Sequence, residues 1–510
     1  MNVHLLYRAQ DFEPDWELPP HAQALTEDLD LDTLLEAMAA GDPYLFKVAQ
    51  IALFRSLPDA DAIRYRQGIL RDCLERPQRT RELYDLAVDA LEAQKHLSFG
   101  ILGLKSNYPD STMHNAVEVL KVYTERLERL RQIADEHADE FNSDGFKTFF
   151  SMIRRELDDE YLQTVHEHLA ELGGHGNVRV SARLGTGANP TDYRLHRRRP
   201  RGILERITTA VGRSAYTYRV PDRDESGARM LGEMRGRAIN EAANITAQSS
   251  EHIQSFFRLL RAELGFYVSA LNLHKKLTAL GEPTCFPGPL PPPERSLTAT
   301  ELYEPCLALR TGHHVIPNDV HATRKPLVVI TGANQGGKST FLRAAGIAQL
   351  MSQCGLYTAA ESLSVNVCDG VFTHFKREED TSMESGKLDE ELARMSVIAD
   401  QAGPNSLVLF NESFAATNER EGSQIARQII NALLDTGSRV MFVTHMFDLA
   451  AALHDDEQQR GLFLRAQREQ DTNRTFKLEE AEPLATSYGP DIYRRVFAET
   501  SDGVTVPASG

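Results

Sequence analysis

Apolar residues recur every three to four positions from about Leu29 to Glu171, in stretches such as LDTLLEAMAAG, DADAIRYRQGILRDCLE and HNAVEVLKVYTERLERLRQIADEH. That period puts them on one side of a helix, so the region is predicted to be a set of long helices packed on one another. Gly173, Gly174 and Gly176 interrupt the series. Beyond them VRVSARL and AYTYRV alternate apolar and polar residues as short strands do, and a small β-containing insertion is expected over about 176–222. Helical spacing returns from about Asp224 to Leu280, a stretch without proline. Six prolines between Pro283 and Pro293 then end it. Proline lacks the backbone N–H and clashes with the preceding turn, so this stretch is predicted to be an extended connector and the main domain boundary, dividing 1–294 from 295–510.

Past the connector the pattern changes. It runs LVVIT at 327–331, a helix over 339–354, a strand-like VNVCDGVF, a helix over 386–401, SLVLF, a helix over 422–435, RVMFVTH and a helix over 447–454. Strand and helix in turn specify an α/β domain with a mostly parallel sheet. A late pair, LFLRAQ and RTFKLEEA, suits a hairpin on the sheet edge. The expected fold class is multidomain α and α/β.

Composition narrows this picture only a little. With 510 residues, 25% charged and 41% apolar, the chain has ample material for two to four cores without help from disulfides or metals. Its five cysteines are scattered and form no C-x-x-C pair, which favours a reducing compartment and argues against zinc. The chain opens on no basic, then apolar, leader, and no apolar run approaches the length of a bilayer-spanning helix, so a cytoplasmic protein without a membrane partner is expected. The net charge of −17 argues against a surface coated in nucleic acid. One stretch disagrees with the total: between Arg194 and Arg219 there are eight arginines against one glutamate, with Tyr216 and Tyr218 interleaved.

The chemistry begins where LVVIT runs into Gly332, Ala333, Asn334, Gln335, Gly336, Gly337, Lys338, Ser339 and Thr340. A buried strand, a glycine-rich turn and a helix start make a phosphate cradle. The glycines let backbone N–H groups converge on phosphate oxygens, Lys338 reaches the β/γ-phosphates, and the Ser339 hydroxyl can ligate Mg²⁺. A chance glycine-rich turn would lack the apolar strand before it and the amphipathic helix after it (Phe341, Leu342, Ala345, Ile347, Leu350). The loop by itself implies ATP or GTP together with Mg²⁺, and ATP is the cofactor expected once the resemblance below is added.

A second apolar strand, SLVLF, ends in Asn411 and Glu412, where such ATPases need a carboxylate pair for metal and water. Asn411 keeps an acceptor oxygen but loses the charge, so metal binding should weaken while Glu412 keeps the role of base. A third strand delivers Thr444 and His445 at its carboxyl end, the edge where open α/β sheets bind ligands, and His445 is a candidate γ-phosphate contact. The catalytic candidates are Glu412, Lys338 and His445; the metal candidates are Ser339 and Asn411.

Together these residues resemble the MutS family of DNA mismatch repair ATPases. The resemblance is carried by TGANQGGKSTFLRAAGIAQLMSQCGLYTAAES, VFTHF at 371–375, SLVLFNE at 406–412, Thr417, Gly422, THMFDLA at 444–450 and SYG at 487–489, in the family's order. It covers 325–490 and extends through the helices of 40–325, including VIPNDV before the first strand. It implies a long-helix core and lever domain followed by a P-loop, ABC-like ATPase domain, a homodimer that pairs its ATPase domains head to head, and a double-stranded or branched DNA partner.

The departures from the family pattern carry further expectations. The family's mismatch-reading N-terminal domain with its Phe-x-Glu wedge has no counterpart, and the residues after SYG are too few for the nuclease tail of one family branch. SMESGKLDEELARM replaces the family's serine block, whose serine reaches the partner's ATP. A gapless register puts Gly386 at that serine, and a shift of one residue puts Ser385 there; Ser385 is the candidate, with Ser382 next. In place of the aromatic that stacks on adenine in many members stand Val315 and Ile316. The arginine segment falls where the family inserts its DNA clamp, so Arg197, Arg198, Arg199 and Arg201 are the candidate phosphate contacts. Two other readings stay open: a nucleotide-gated scaffold with little hydrolysis, and an ATPase of the ABC or SMC type outside DNA repair, although neither a glycine-rich signature nor long coiled coils are evident.

Overall fold

The computed structural model describes residues 1–101, 109–172, 179–184, 190–196, 225–377, 386–467 and 475–484. By backbone proximity the chain forms two compact units, one of Met1–Glu13 with Arg76–Leu264 and one of Pro14–Glu75 with Gly265–Gly510. Among the described residues no helix is long and apolar enough to cross a membrane.

In chain order the helices before the first strand are α1 (Ala22–Leu29), α2 (Leu31–Ala39), α3 (Pro43–Phe54), α4 (Ala60–Glu75), α5 (Pro77–Ile101), α6 (Pro109–His137), α7 (Asp144–Glu156) and α8 (Asp159–Leu172). The helical spacing of the sequence is thus realised. In the first unit α7 starts where Ser143 accepts the Phe146 N–H on its side chain, a standard N-cap. It buries Phe146, Phe149 and Phe150 against Phe141, with ring centroids 4.3 to 5.7 Å apart. A second cluster joins Val117, Leu120, Leu169 and Ala243. The strands β1 (Arg179–Leu184) and β2 (Pro190–His196) pair antiparallel. The partner of VRVSARL is therefore the stretch before the arginines, which the sequence did not single out; AYTYRV lies outside the described residues.

The long helix α9 (Glu225–Ala279) runs uninterrupted, as the absence of proline predicted. Its residue Glu263 is fully buried in the first unit and accepts the backbone N–H groups of Leu5, Leu6 and Phe12 at 2.5, 3.0 and 3.2 Å. Burial outweighs these bonds and pushes its carboxyl up to about 7.

The second unit continues with β3 (Gly288–Leu290), β4 (Leu297–Leu302), α10 (Pro305–Thr311), β5 (Asn318–Ala322), β6 (Leu327–Thr331), α11 (Lys338–Gln353), β7 (Ser362–Asn366), β8 (Val371–Phe375), α12 (Lys387–Gln401), β9 (Leu407–Asn411), α13 (Glu419–Asp435), β10 (Arg439–Val443), α14 (Phe447–Glu457), β11 (Gly461–Ala466) and β12 (Leu478–Glu480). Five parallel strands and the antiparallel edge strand β12 form one sheet in the order β12-β11-β6-β10-β9-β8. A separate sheet runs β3-β7-β4-β5. VNVCDGVF, expected as one strand, is divided: its first residues belong to β7 in the smaller sheet, and its last begin β8 in the larger. The proline-rich connector contributes β3, parallel to β7.

Strand side chains alternate between the two faces, and both faces of the larger sheet are covered. Val408, Phe410, Val440 and Phe442 pack with residues of α12, α13 and α14. On the other face lies α11. A Cβ at Gly346 would meet Leu409 at 2.6 Å and Leu29 of α1 at 3.1 Å, so glycine lets α11 lie close between sheet and helix.

Candidate nucleotide site

The glycine loop connects β6 to α11 in a path that needs left-handed backbone. Gly332 has φ 114°, Gln335 φ 63° and Gly337 φ 89°, and Gly337 caps the helix that begins at Lys338. Two of the glycines also answer to space. A Cβ on Gly332 or Gly336 would stand 2.9 or 2.8 Å from the Cβ of Ala466 at the end of β11. Asn334 and Gln335 are exposed at the tip, while Ala333 turns its carbonyl inward to accept the Gly336 N–H at 3.2 Å. Thr340 lies in the first turn of α11.

Lys338 is buried, and its ammonium donates to the carbonyls of Gly332 and Ala333, each at 3.0 Å. Burial lowers its pKa, and the carboxylate of Glu412 opposes that shift. The next residue, Ser339, donates its hydroxyl to Asn411 Oδ1 at 2.9 Å. Residues far apart in the chain are thus joined because β9 lies one strand from β6, with β10 between them.

Strand register sets the rest of the site. Asn411 pairs with Val443 of β10 and with Phe375 of β8. The N–H of Glu412 donates to Val443 O at 2.9 Å, and the N–H of Thr444 donates to Ile330 O at 3.1 Å. The loops after β6, β9 and β10 therefore share the carboxyl edge of the sheet. His445, one residue beyond, is exposed there. The structure brings Lys338, Ser339, Asn411 and Glu412 together and places His445 on the same edge. Ser382, Ser385, Arg197, Arg198, Arg199 and Arg201 lie outside the described residues; of the arginine segment Arg194 is described, paired with Ser181 in the β1–β2 ladder.

Sequence reasoning missed several residues that shape this edge. Phe476 approaches Gly337, whose Cβ would stand 3.2 Å from its carbonyl, and that carbonyl accepts from Asn318 Nδ2 at 3.1 Å. Asn318 in turn accepts the Leu478 N–H at 2.7 Å, tying β5 to the hairpin. Of the two residues that the sequence singled out in place of the aromatic, Val315 gives its N–H to Glu282 at 2.8 Å and Ile316 is exposed. His374, Glu391 and Ser413 form a buried polar group beside Glu412. Polar residues within a fully buried strand, Thr373 and His374 in VFTHF, were the available signal.

Comparison with known proteins matches two separate stretches of the chain. The profile of the MutS2 N-terminal domain matches residues 58–280, and that of MutS domain V matches residues 328–500. The DNA mismatch repair protein MutS of Thermus aquaticus is 33% identical over 153 residues, 28% of this chain and 19% of that protein. The DNA mismatch repair protein MutS of Synechococcus sp. (strain CC9605) is 31% identical over 235 residues, 45% of this chain and 26% of its own length. The probable DNA mismatch repair protein Msh6 of Drosophila melanogaster is 33% identical over 161 residues, 31% of this chain and 13% of that protein. The chain thus aligns with about a quarter or less of each of these relatives. Two MutS-family profiles match in order along most of the chain, and this chain is a member of the MutS family.

Proposed function

We propose that this protein is an ATP-dependent DNA-binding ATPase acting in DNA mismatch repair or a related repair or recombination process, with nucleotide binding and hydrolysis setting its grip on double-stranded or branched DNA. The observation that carries the reading is the hydrogen bond from Ser339 to Asn411 at the mouth of the glycine loop. Hydroxyl and amide oxygens are hard donors of the kind Mg²⁺ takes, and these two would hold the ion, with water completing its shell. Once bound, the ion neutralises charge on the β- and γ-phosphate oxygens.

The chain's own residues do the remaining work. The N–H groups of the loop from Gly332 to Gly337, and those that open α11 at Lys338, Ser339 and Thr340, receive the phosphates at a helix N-terminus. Lys338 exchanges its two carbonyl partners for phosphate oxygens, whose negative charge favours the ammonium that burial disfavours. Glu412 orients the attacking water, and His445 contacts the γ-phosphate. Ser385 of a second copy would complete the site in a homodimer. Arg197, Arg198, Arg199 and Arg201 would meet DNA phosphates.

Steady-state ATP turnover by the wild type, Glu412→Ala and Asn411→Asp, with and without DNA, tests this. The wild type is expected to exceed Glu412→Ala by roughly a hundredfold, the usual worth of a positioned base. A wild type no faster than Glu412→Ala would instead support a nucleotide-gated scaffold, the second reading, which the missing charge at Asn411 favours; Asn411→Asp should then raise turnover. Replacing the four arginines with alanine is expected to weaken DNA binding and flatten its salt dependence.

A further inference from the structure

A carboxylate that orients water is only as well placed as the backbone beneath it. At Glu412 that backbone is left-handed, with φ 53°, and Phe414 two residues on repeats the feature with φ 61°. Such conformations cost side-chain-bearing residues about 1 kcal/mol or more each, and they persist where neighbours hold them.

Two buried neighbours meet this turn. Glu391 of α12 accepts the Phe414 N–H on Oε2 at 2.6 Å. His374 of β8 places Nδ1 2.8 Å from Ser413 Oγ and stacks its ring on Phe414, with centroids 5.1 Å apart and planes 17° from parallel. The two neighbours are themselves joined, since His374 Nε2 lies 2.9 Å from the Glu391 carbonyl. A carbonyl oxygen only accepts, so the ring carries a proton on Nε2, while the Ser413 hydroxyl, within reach of Nδ1, donates to the backbone carbonyl of His374 at 2.5 Å and ties the turn to β8 a second time. His374, Ser413 and Glu391 are all buried.

We propose that Glu391 and His374 are positioning residues, a clamp that fastens the turn from Glu412 to Phe414 to α12 and β8 and so aims the Glu412 carboxylate. The clamp touches no phosphate; it acts through Glu412, and it rests on the reading of Glu412 as the group that orients water.

The test compares Glu391→Ala, which removes the acceptor, with Glu391→Gln, which keeps one. Glu391→Ala is expected to lower kcat roughly tenfold to a hundredfold, the effect of a misplacement of about 1 Å, with the Kd for a fluorescent ATP analogue changed less than about twofold. Glu391→Gln should recover most of the rate. In a Glu412→Ala background Glu391→Ala should cost nothing further, because both changes remove one function. Amide exchange gives a readout independent of turnover: the Phe414 N–H should exchange faster in Glu391→Ala and near the wild-type rate in Glu391→Gln. Should Glu391→Ala fail to fold, Ser413→Ala tests the His374 arm by the same measurements. Equal kcat in Glu391→Ala and wild type, or additive losses with Glu412→Ala, would overturn the clamp. If the wild type proves no faster than Glu412→Ala, hydrolysis is lost as a reading, and unchanged exchange at Phe414 would then refute the clamp alone.

Discussion

The two sheets of the second unit are built from strands of similar length, yet they differ in how burial runs along them. In the six-stranded sheet LVVIT, LVLFN, VFTHF and RVMFV are buried almost without a break. In the four-stranded sheet NDVHA alternates between buried and exposed, and LTATEL and SLSVN mix buried, half-buried and exposed positions. A strand covered on both faces is apolar at most positions, and its few polar residues, such as His374 and Arg439, are held by hydrogen bonds, whereas one half open to water needs apolar residues on one side only. The site lies at the carboxyl ends of the first kind, so its side chains are carried on strands with little freedom to shift.

The largest expected difference between the sheets is in stability. Phe410 is fully buried and stacks on Phe442 at 5.1 Å. Phe410→Ala should cost about 3–5 kcal/mol in urea unfolding followed by a probe in this unit. A cost below about 1 kcal/mol would break the contrast.

The next effect is in pH. Burial lowers the His374 pKa to about 4 from 6.5. The folded protein therefore resists a proton that the unfolded chain takes up, so stability present above pH 6.5 is lost progressively as pH falls toward about 4. The shift corresponds to roughly 3 kcal/mol. His374→Asn should remove that slope. Glu263 in the first unit has the opposite sign: its carboxyl is raised to about 7 from 4.5, so its contribution is full below pH 4.5 and is lost as pH rises through about 7. Melting curves between pH 4 and 8 for the wild type, His374→Asn and Glu263→Gln should show the two slopes separately.

A smaller pair of changes compares glycines. Gly336→Ala places a Cβ 2.8 Å from Ala466 and 3.0 Å from the Ala333 carbonyl, neither of which can rotate away. A loss of about tenfold in ATP affinity is expected, measured by titration with a fluorescent analogue. Gly288→Ala in β3 comes close to the Ser364 hydroxyl at 3.0 Å, a side chain able to turn, and meets the Leu363 carbonyl at an ordinary 3.8 Å, so nucleotide affinity should be unchanged. The smallest effect belongs to Thr300→Ala, which removes an exposed hydrogen bond to Ser362 and should alter stability by less than about 0.5 kcal/mol.

The same difference explains what could be read in advance. The helices around the sheet and its core strands announced themselves through period and continuous apolarity, and the uninterrupted α9 through its lack of proline. The smaller sheet did not. Val365 and Val371 sit six residues apart in one apolar-looking run, yet they belong to different sheets, because the chain turns at Asp369 and Gly370. The Asp-Gly pair is a local sign of a turn, but nothing local to VNVCDGVF assigns its two sides to different sheets. The strand Pro190–His196 was likewise hidden, since its apolar residues are few and its pairing with Arg179–Leu184 supplies the order.

By itself the amino-acid order determined the glycine loop, the apolar strands that present Asn411, Glu412 and His445 at their ends, and the helical character of the first unit. These follow from residue chemistry and short-range period, which act over a few positions. Only the tertiary structure decided that Ser339 bonds Asn411, that Ala466 and Phe476 wall the loop, and that His374 and Glu391 grip the turn beyond Glu412. Each of those contacts joins residues on different strands or helices, and their meeting depends on strand order and packing, which no single stretch of sequence contains.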